Sequence, residues 1–392
     1  MRRLFVAFVS ACVPVLLAAQ IPSRNVNMVS GTGWPGGDPF LQRQNEPSIA
    51  ASTRNPLHLL AGANDYRTVD LPGLPNSGEV GDAWMGLFKS TNGGATWKSA
   101  LLPGYPQDTS PEGTASPLKA YTAAADPVVR AGTNGLFYYS GIVFDRTTPS
   151  KSAMFVSRLI DNNNKEAGDP VIYLGTSLVA TNPGTEFIDK PWMAVDVPRS
   201  GATTCSITTT QPNPTANDPN ATMTVNQSFA GGAVYVVYSL ISGDGTSTRS
   251  QVYFSRSLDC GATWSASLRV SSLDDPVNQG ATLAIDPRTG SVYIAWRRFS
   301  ADGTDDTIMV ARSIDQGRKW DPPGRARRFP RGKKIGLQPQ MHGKKFSRPT
   351  ALSDVTSLDQ PTIEDRFRTN AYPTMTIDDQ GLVYVAWSER GF

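Results

Sequence analysis

Five short polar stretches each stand directly before an apolar, strand-like run: Asn45-Glu46, Asp126, Asp189-Lys190, Gln279 and Tyr372. The runs begin at Pro47, Pro127, Pro191, Ala281 and Pro373. Cleaving a glycosidic bond takes two groups whose pKa values are held apart, an acid for the leaving oxygen and a nucleophile or base. Glu46, Asp126, Asp189 and Tyr372 are of the right types and form the candidate catalytic set. Arg43, Lys190, Gln279, Arg366 and Arg368 form the candidate substrate-binding set, because cations and amides can grip a carboxylate or sugar hydroxyls. The bland alternative is that these residues solvate a channel mouth and cap strand ends.

Other chemistries have less to work with. The histidines are His58 and His342 only, and nothing around them points to a Ser-His-Asp triad. No glycine-rich phosphate cradle is present. No cofactor is expected. The one metal with candidate oxygens is calcium, on the loop Asp302-Gly-Thr-Asp305-Asp306. Residues 325–348 carry nine Lys or Arg and no acid, a run that reads as a solvated basic loop or a steering surface for polyanions.

The elements that must position these residues are announced by a repeat. Ser90-Thr-Asn92-Gly-Gly94-Ala-Thr-Trp97, Ser257-Leu-Asp259-Cys-Gly261-Ala-Thr-Trp264 and Ser313-Ile-Asp315-Gln-Gly317-Arg-Lys-Trp320 share one spacing. A short Asp or Asn side chain accepts from the backbone of its own turn. Gly supplies the positive φ of a tight hairpin, and Trp anchors the turn on a sheet. Each copy follows an alternating strand-like run, so the unit is a small antiparallel sheet repeated along the chain. The clearest unit runs from Ala281 through Ser291-Val-Tyr-Ile-Ala-Trp296 and Ile308-Met-Val-Ala311 into the third turn. A unit with a decayed turn, Ser157-Arg-Leu-Ile-Asp161, lies between the first and second copies.

These motifs resemble the Asp boxes of the sialidase (neuraminidase) superfamily, whose blades carry such a turn between strands three and four. The resemblance implies an all-β propeller of four-stranded blades, with a six-blade closure. The chain encodes about four and a half, which reads as truncation at the C-terminus. It also implies a site on the face opposite the boxes, a Tyr nucleophile paired with a Glu, and three arginines clamping the substrate carboxylate. The carry-over departs from the family in two places. Asn45 stands where the first clamp arginine would open blade one, with Arg43 nearby but off register. The last clamp arginine and the Tyr belong to the final blades, where Tyr372 follows Arg366 and Arg368. The reading is therefore a propeller that binds a glycan or an extracellular protein without efficient sialidase activity. The alternative is an exo-sialidase-like glycoside hydrolase acting on terminal sugars at the axis.

Bulk properties agree. The 392 residues include 35 Gly and 30 Pro, with no long run at helical spacing. The net charge of +3 is small, and no nucleic-acid role is expected. Residues 1–19 read as an export signal, with Arg2 and Arg3 ahead of an apolar run too short to span a membrane. Cys12 lies in a weak lipoprotein-like box. Residues 20–44 form an N-terminal segment and 45–392 the propeller. Removing the signal leaves Cys205 and Cys260, expected to form a disulfide in an exported chain. Residues 199–231, rich in Thr, Pro and Asn, read as an insertion between two strands of blade three and carry sequons at Asn220 and Asn226.

Overall fold

The computed structural model describes residues 25–29, 44–66, 82–165, 168–218, 220–244, 247–299, 306–320, 350–355 and 372–388. The export signal, Cys12, Arg43, Arg366, Arg368, His342, the basic run at 325–348 and Asp302 to Asp305 lie outside the described residues.

Strands β1 (Gln44–Ala51), β2 (Leu59–Asp65), β3 (Trp84–Ser90) and β4 (Lys98–Leu101) form one antiparallel sheet in chain order. Strands β5 (Ala123–Ala131), β6 (Leu136–Phe144), β7 (Ser152–Asp161) and β8 (Val171–Asn182) repeat it. The third sheet is β9 (Phe187–Val195), β12 (Val234–Ser242), β13 (Arg249–Ser257) and β14 (Leu268–Arg269), with the hairpin β10 (Thr204–Pro212) and β11 (Thr222–Ala230) inserted after its first strand. The fourth is β15 (Val277–Ile285), β16 (Val292–Phe299), β17 (Asp306–Ser313) and β18 (Thr350–Val355), joined to the third by a single parallel bridge, Ser250↔Val277. Strands β19 (Thr374–Ile377) and β20 (Val383–Ala386) begin a fifth. The first strands touch in succession, β1 to β5 to β9 to β15 to β19, which is the arrangement of blades around a β-propeller axis.

Stacking blades face to face explains why the middle strands are apolar on both sides. Side chains alternate across a strand, so neighbouring residues serve different interfaces. In β6, Phe137 and Tyr139 join Leu60, Trp84 and Leu87 of the first blade. Tyr138, one residue away, joins Met193, Val234 and Val236 of the third. Tyr235 and Val237 of β12 then turn to Leu283, Ile294 and Trp296 of the fourth. The free flank of blade one is partly covered by Met28 and Val29, which pack on Ala61, Ala63 and Phe88. Ile49 stays 56% exposed, as does Tyr384 in blade five at 50%. The described residues supply five first strands around one axis, four opening a full blade and the fifth a partial one, in agreement with the expected count of about four and a half blades.

The three repeated turns share one hydrogen-bond scheme. Ser90, Ser257 and Ser313 Oγ accept the amides of Gly94, Gly261 and Gly317 at 2.9, 2.8 and 2.8 Å. Asn92, Asp259 and Asp315 Oδ1 accept the amides of Thr96, Thr263 and Lys319 at 2.9 Å each. Against the upward push of partial burial, hydrogen bonds from Thr263 and Ser257 hold the Asp259 carboxyl below the usual range. Trp97, Trp264 and Trp320 are half-buried, each packed against a hydrophobic cluster of the sheets. Trp320 meets Phe254 edge-on at 4.9 Å, and Trp97 Nε1 donates to the Gly94 carbonyl at 3.0 Å.

The decayed turn of blade two is also displaced. Ser157 lies inside β7, paired with Tyr139, and the chain turns at Asp161. There His58 Nδ1 lies 2.9 Å from Asp161 Oδ1, both side chains fully enclosed, and Arg54 Nη1 donates to the Asp161 carbonyl at 2.9 Å. A hydrogen-bonded staple between blades one and two stands where the other blades have the repeated turn. The insertion is a regular ladder from Thr204↔Ala230 to Pro212↔Thr222. Cys205 is joined to Cys260 with Cα atoms 5.9 Å apart, as expected. Among the described residues no helix is long and apolar enough to cross a membrane.

Candidate functional site

The start of each inner strand is irregular in the same way. Pairing skips residues 46–47 in β1, 126–127 in β5, 190–191 in β9 and 280–281 in β15. The residue entering each bulge has positive φ: Glu46 at 53°, Asp126 at 63°, Lys190 at 53° and Gly280 at 65°. Three of these carry side chains and precede proline, which crowds the helical regions further. Such backbone costs about 1–3 kcal/mol per residue and gathers at functional sites. Bulges re-aim side chains, and here they aim one residue per blade at a single point.

That point is a cavity of about 350 Å³ at one end of the channel, with Glu46, Asp126, Lys190, Gly280 and Tyr372 in its lining. Glu46, Asp126 and Tyr372 therefore meet as expected. Two assignments shift by one residue: Lys190 and Gly280, not Asp189 and Gln279, hold the positions equivalent to Glu46. Asp189 stands behind Lys190, its Oδ1 accepting the Lys190 amide at 2.9 Å and lying 3.8 Å from Nζ. Gln279 Oε1 accepts the Tyr372 hydroxyl at 3.0 Å. Gly280 is required, because any side chain there would strike the Tyr372 ring.

Electrostatics single out Asp126. Burial pushes its carboxyl up, the Lys190 ammonium pulls it partly back, and hydrogen bonding to Glu46 with the charges of Asp189 and Glu46 raises it again, to about 7. Its Oδ2 is buried without a hydrogen bond, and Lys190 Nζ stands 3.6 Å away. Lys190 loses some basicity to burial but regains more from Asp126, Asp189 and Glu46, so it stays cationic. A carboxyl raised in this way, beside a second carboxyl and an ammonium, can donate, accept and move a proton near neutral pH.

Sequence reasoning missed three residues. Asn64, buried at the end of β2, donates to Glu46 Oε2 at 3.2 Å and accepts the Asp126 amide at 2.8 Å, tying the two carboxyl-bearing bulges together. Trp192 offers a half-buried ring to the cavity. Arg130 lines it too, its guanidinium 5.0 Å from the Trp192 ring centre. Trp192 stands two residues beyond Lys190 and Arg130 four beyond Asp126, so strand alternation could have found both. Nothing local marks Asn64. Of the calcium loop, Asp306 is described, and its carboxylate accepts Arg297 Nε at 2.9 Å. Among the described residues no group of three or more His, Cys, Asp or Glu is arranged to hold a metal.

A pH test of the carboxyl pair follows. An acid raised from 3.8 to about 7 binds its proton more tightly in the folded chain than in the unfolded one. Its stabilising contribution is full below about pH 4 and is lost as pH rises through about 7. Asp126→Asn is therefore expected to melt higher than the wild type at pH 8, by on the order of 2–4 kcal/mol, with the advantage gone at pH 4. Thermal melts across that range check it. A gap independent of pH would show that Asp126 ionises normally.

No family model and no curated protein matches the sequence. Among solved structures, the chain is similar to the GH93 α-L-arabinofuranosidase of Fusarium graminearum in complex with arabinobiose. That match has 15% identity over 88% of this chain and 74% of the other, with a TM-score of 0.44. An α-L-arabinanase of Penicillium chrysogenum gives 13% identity, 88% and 75% coverage, and a TM-score of 0.43. The Hadza microbial sialidase Hz136 gives 15% identity over 55% of this chain, with a TM-score of 0.35. The chain spans 39% of the length of that sialidase. No site residue is carried over from these proteins.

Proposed function

We propose that this chain is an exported propeller of the sialidase superfamily that holds the end of a glycan in its axial cavity and does not process sialosides efficiently. The observation that carries the reading is the convergence of strained, side-chain-bearing bulges from successive blades on one cavity. It brings a carboxyl pair, an ammonium and an indole ring to one small volume. Sugars are bound by that mixture of charged hydrogen-bonding groups and an aromatic face. The test is calorimetric titration of the purified mature chain with a panel of mono- and disaccharides, beside Trp192→Ala and Lys190→Ala. Saturable binding weakened about tenfold or more by both variants is expected. No binding by the wild type, or binding untouched by both, would remove the cavity from consideration.

One observation favours a second reading. With its pKa near 7, Asp126 still carries a proton at neutral pH and faces the cavity, as a general acid must. In that case aryl glycosides are hydrolysed with a rate that falls above about pH 7 and is lost in Asp126→Ala. Export rests on the signal-like residues 1–19 and on the disulfide. The N-terminus of the exported protein is expected near residue 20, and an uncleaved chain would contradict it.

A further inference from the structure

We propose that the sugar entering the axial cavity is a terminal hexuronate, arriving carboxylate first, and that Arg130 at the inner end of the cavity receives that carboxylate. The inference rests on the reading that the cavity holds a glycan end.

Four residues beyond the bulge, the five inner strands carry Ala50, Arg130, Ala194, Ala284 and Thr376. Arg130 is the one long side chain of that layer. Packing alone would be met by another small residue. It is also the cavity-lining residue set furthest along its strand from the mouth. Arg199, Arg297 and Arg298 meet the carboxylates of Asp196, Asp306 and Asp275, and the half-buried Arg54 and Arg256 are each answered by two carbonyl or amide oxygens. Arg130 makes no ion pair among the described residues. Its hydrogen bond there goes to the Val129 carbonyl at 2.8 Å, and its plane is held over Trp192. Burial makes its proton less tightly held than usual, the mark of a cation short of counter-charge.

A guanidinium has five N–H donors in a fixed fork, so most of this one is left to a ligand. A planar carboxylate fits the fork with two parallel charge-assisted bonds. A neutral sugar would leave the cation buried and unanswered, which costs binding free energy.

The position of the cation selects among acidic sugars. In a hexuronate the carboxylate is borne on C5 and the glycosidic bond on C1, two carbons separated by the ring oxygen, so the two leave the ring from different carbons. With the carboxylate at Arg130, the anomeric oxygen and the rest of the chain can turn back toward the mouth beside Asp126 and Glu46. A nonulosonate such as sialate bears its carboxylate and its glycosidic bond on the same carbon, so a carboxylate at the inner end draws the glycosidic bond inward with it.

The test is titration of the wild-type chain with D-glucuronate and D-galacturonate methyl glycosides, their neutral parent glycosides, and the methyl glycoside of N-acetylneuraminate. The uronates are expected to bind at least about tenfold more tightly than the parents and than the sialoside. Arg130→Met keeps the stem against Trp192 and is expected to abolish that preference, bringing the uronates to the affinity of their neutral parents measured in the same variant. Arg130→Lys is expected to restore part of it. Equal affinity for acidic and neutral sugars in the wild type overturns the inference whether or not the variants fold, and leaves glycan binding standing. So does a preference that persists in Arg130→Met, or tighter binding of the sialoside. Binding of no sugar at all overturns the glycan reading with it.

Discussion

A fluorogenic sialoside is expected to be turned over at least about 10²-fold more slowly by this chain than by a propeller with a complete arginine clamp. The clamp works because arginine meets a carboxylate with two charge-assisted bonds, which a neutral amide cannot match. Asn45, which the Asp-box resemblance sets where the first clamp arginine would stand, lies at the start of β1 opposite Asn64. Among the described residues the arginine lining the cavity is Arg130, from β5 at its inner end, while Asp126, Lys190 and Tyr372 surround the mouth. A sialoside carboxylate held near the reacting carbon at the mouth would face Glu46 and Asp126 with Lys190 as the nearby counter-charge. Charge stabilisation at the reacting centre is usually the largest catalytic contribution, and loss of one such donor costs about 10²–10³-fold. Turnover by the mature chain, with Asp126→Ala and Tyr372→Phe as controls, measures it. Fast turnover abolished by both controls would establish a sialidase and displace the binding reading.

Replacing Cys205 and Cys260 together by alanine is expected to lower the unfolding free energy by about 4 kcal/mol. The bridge closes a loop with a sequence separation of 55, which sets that figure through the entropy of the unfolded chain. It also holds the β10–β11 hairpin to the second repeated turn. The hairpin keeps other anchors, including Asn134 Nδ2 donating to Gln227 Oε1 at 3.3 Å and Asn162 Nδ2 to Thr209 Oγ1 at 3.1 Å. The double variant should therefore fold with its hairpin docked and unfold at lower denaturant. An unchanged midpoint would show that the bridge contributes nothing to stability.

The architecture was legible because its signals are local. The Ser-Asp-Gly-Trp spacing encodes a self-contained hydrogen-bonded turn, and the apolar runs before it encode strands buried on both faces. Register at the axis was not legible to the residue. Each bulge adds one position that pairs with nothing, so Asp189 and Gln279 looked equivalent to Glu46 when Lys190 and Gly280 are. The displaced turn at Asp161 depends on His58 and Arg54, more than a hundred residues earlier in the chain. Residues 199–231 were legible as an insertion but not as a hairpin, because the exposed face is Thr, Ser and Asn. The same β-branched threonines favour a strand once Cys205 and Ile207 have an interior to enter. Asn64 bonds Glu46 within its own blade and the Asp126 amide on the neighbouring one, and no spacing rule reaches across blades.

The claim on which the account stands is that the channel end ringed by Glu46, Asp126, Lys190 and Tyr372 is where a sugar is held. A crystal structure of the mature chain soaked with the tightest-binding saccharide of the panel tests it directly. The account predicts one sugar ring in the cavity, stacked on Trp192 and within hydrogen-bond reach of Asp126 and Lys190. A sugar seated on an outer flank or along the repeated turns, with the cavity holding only water, would contradict it.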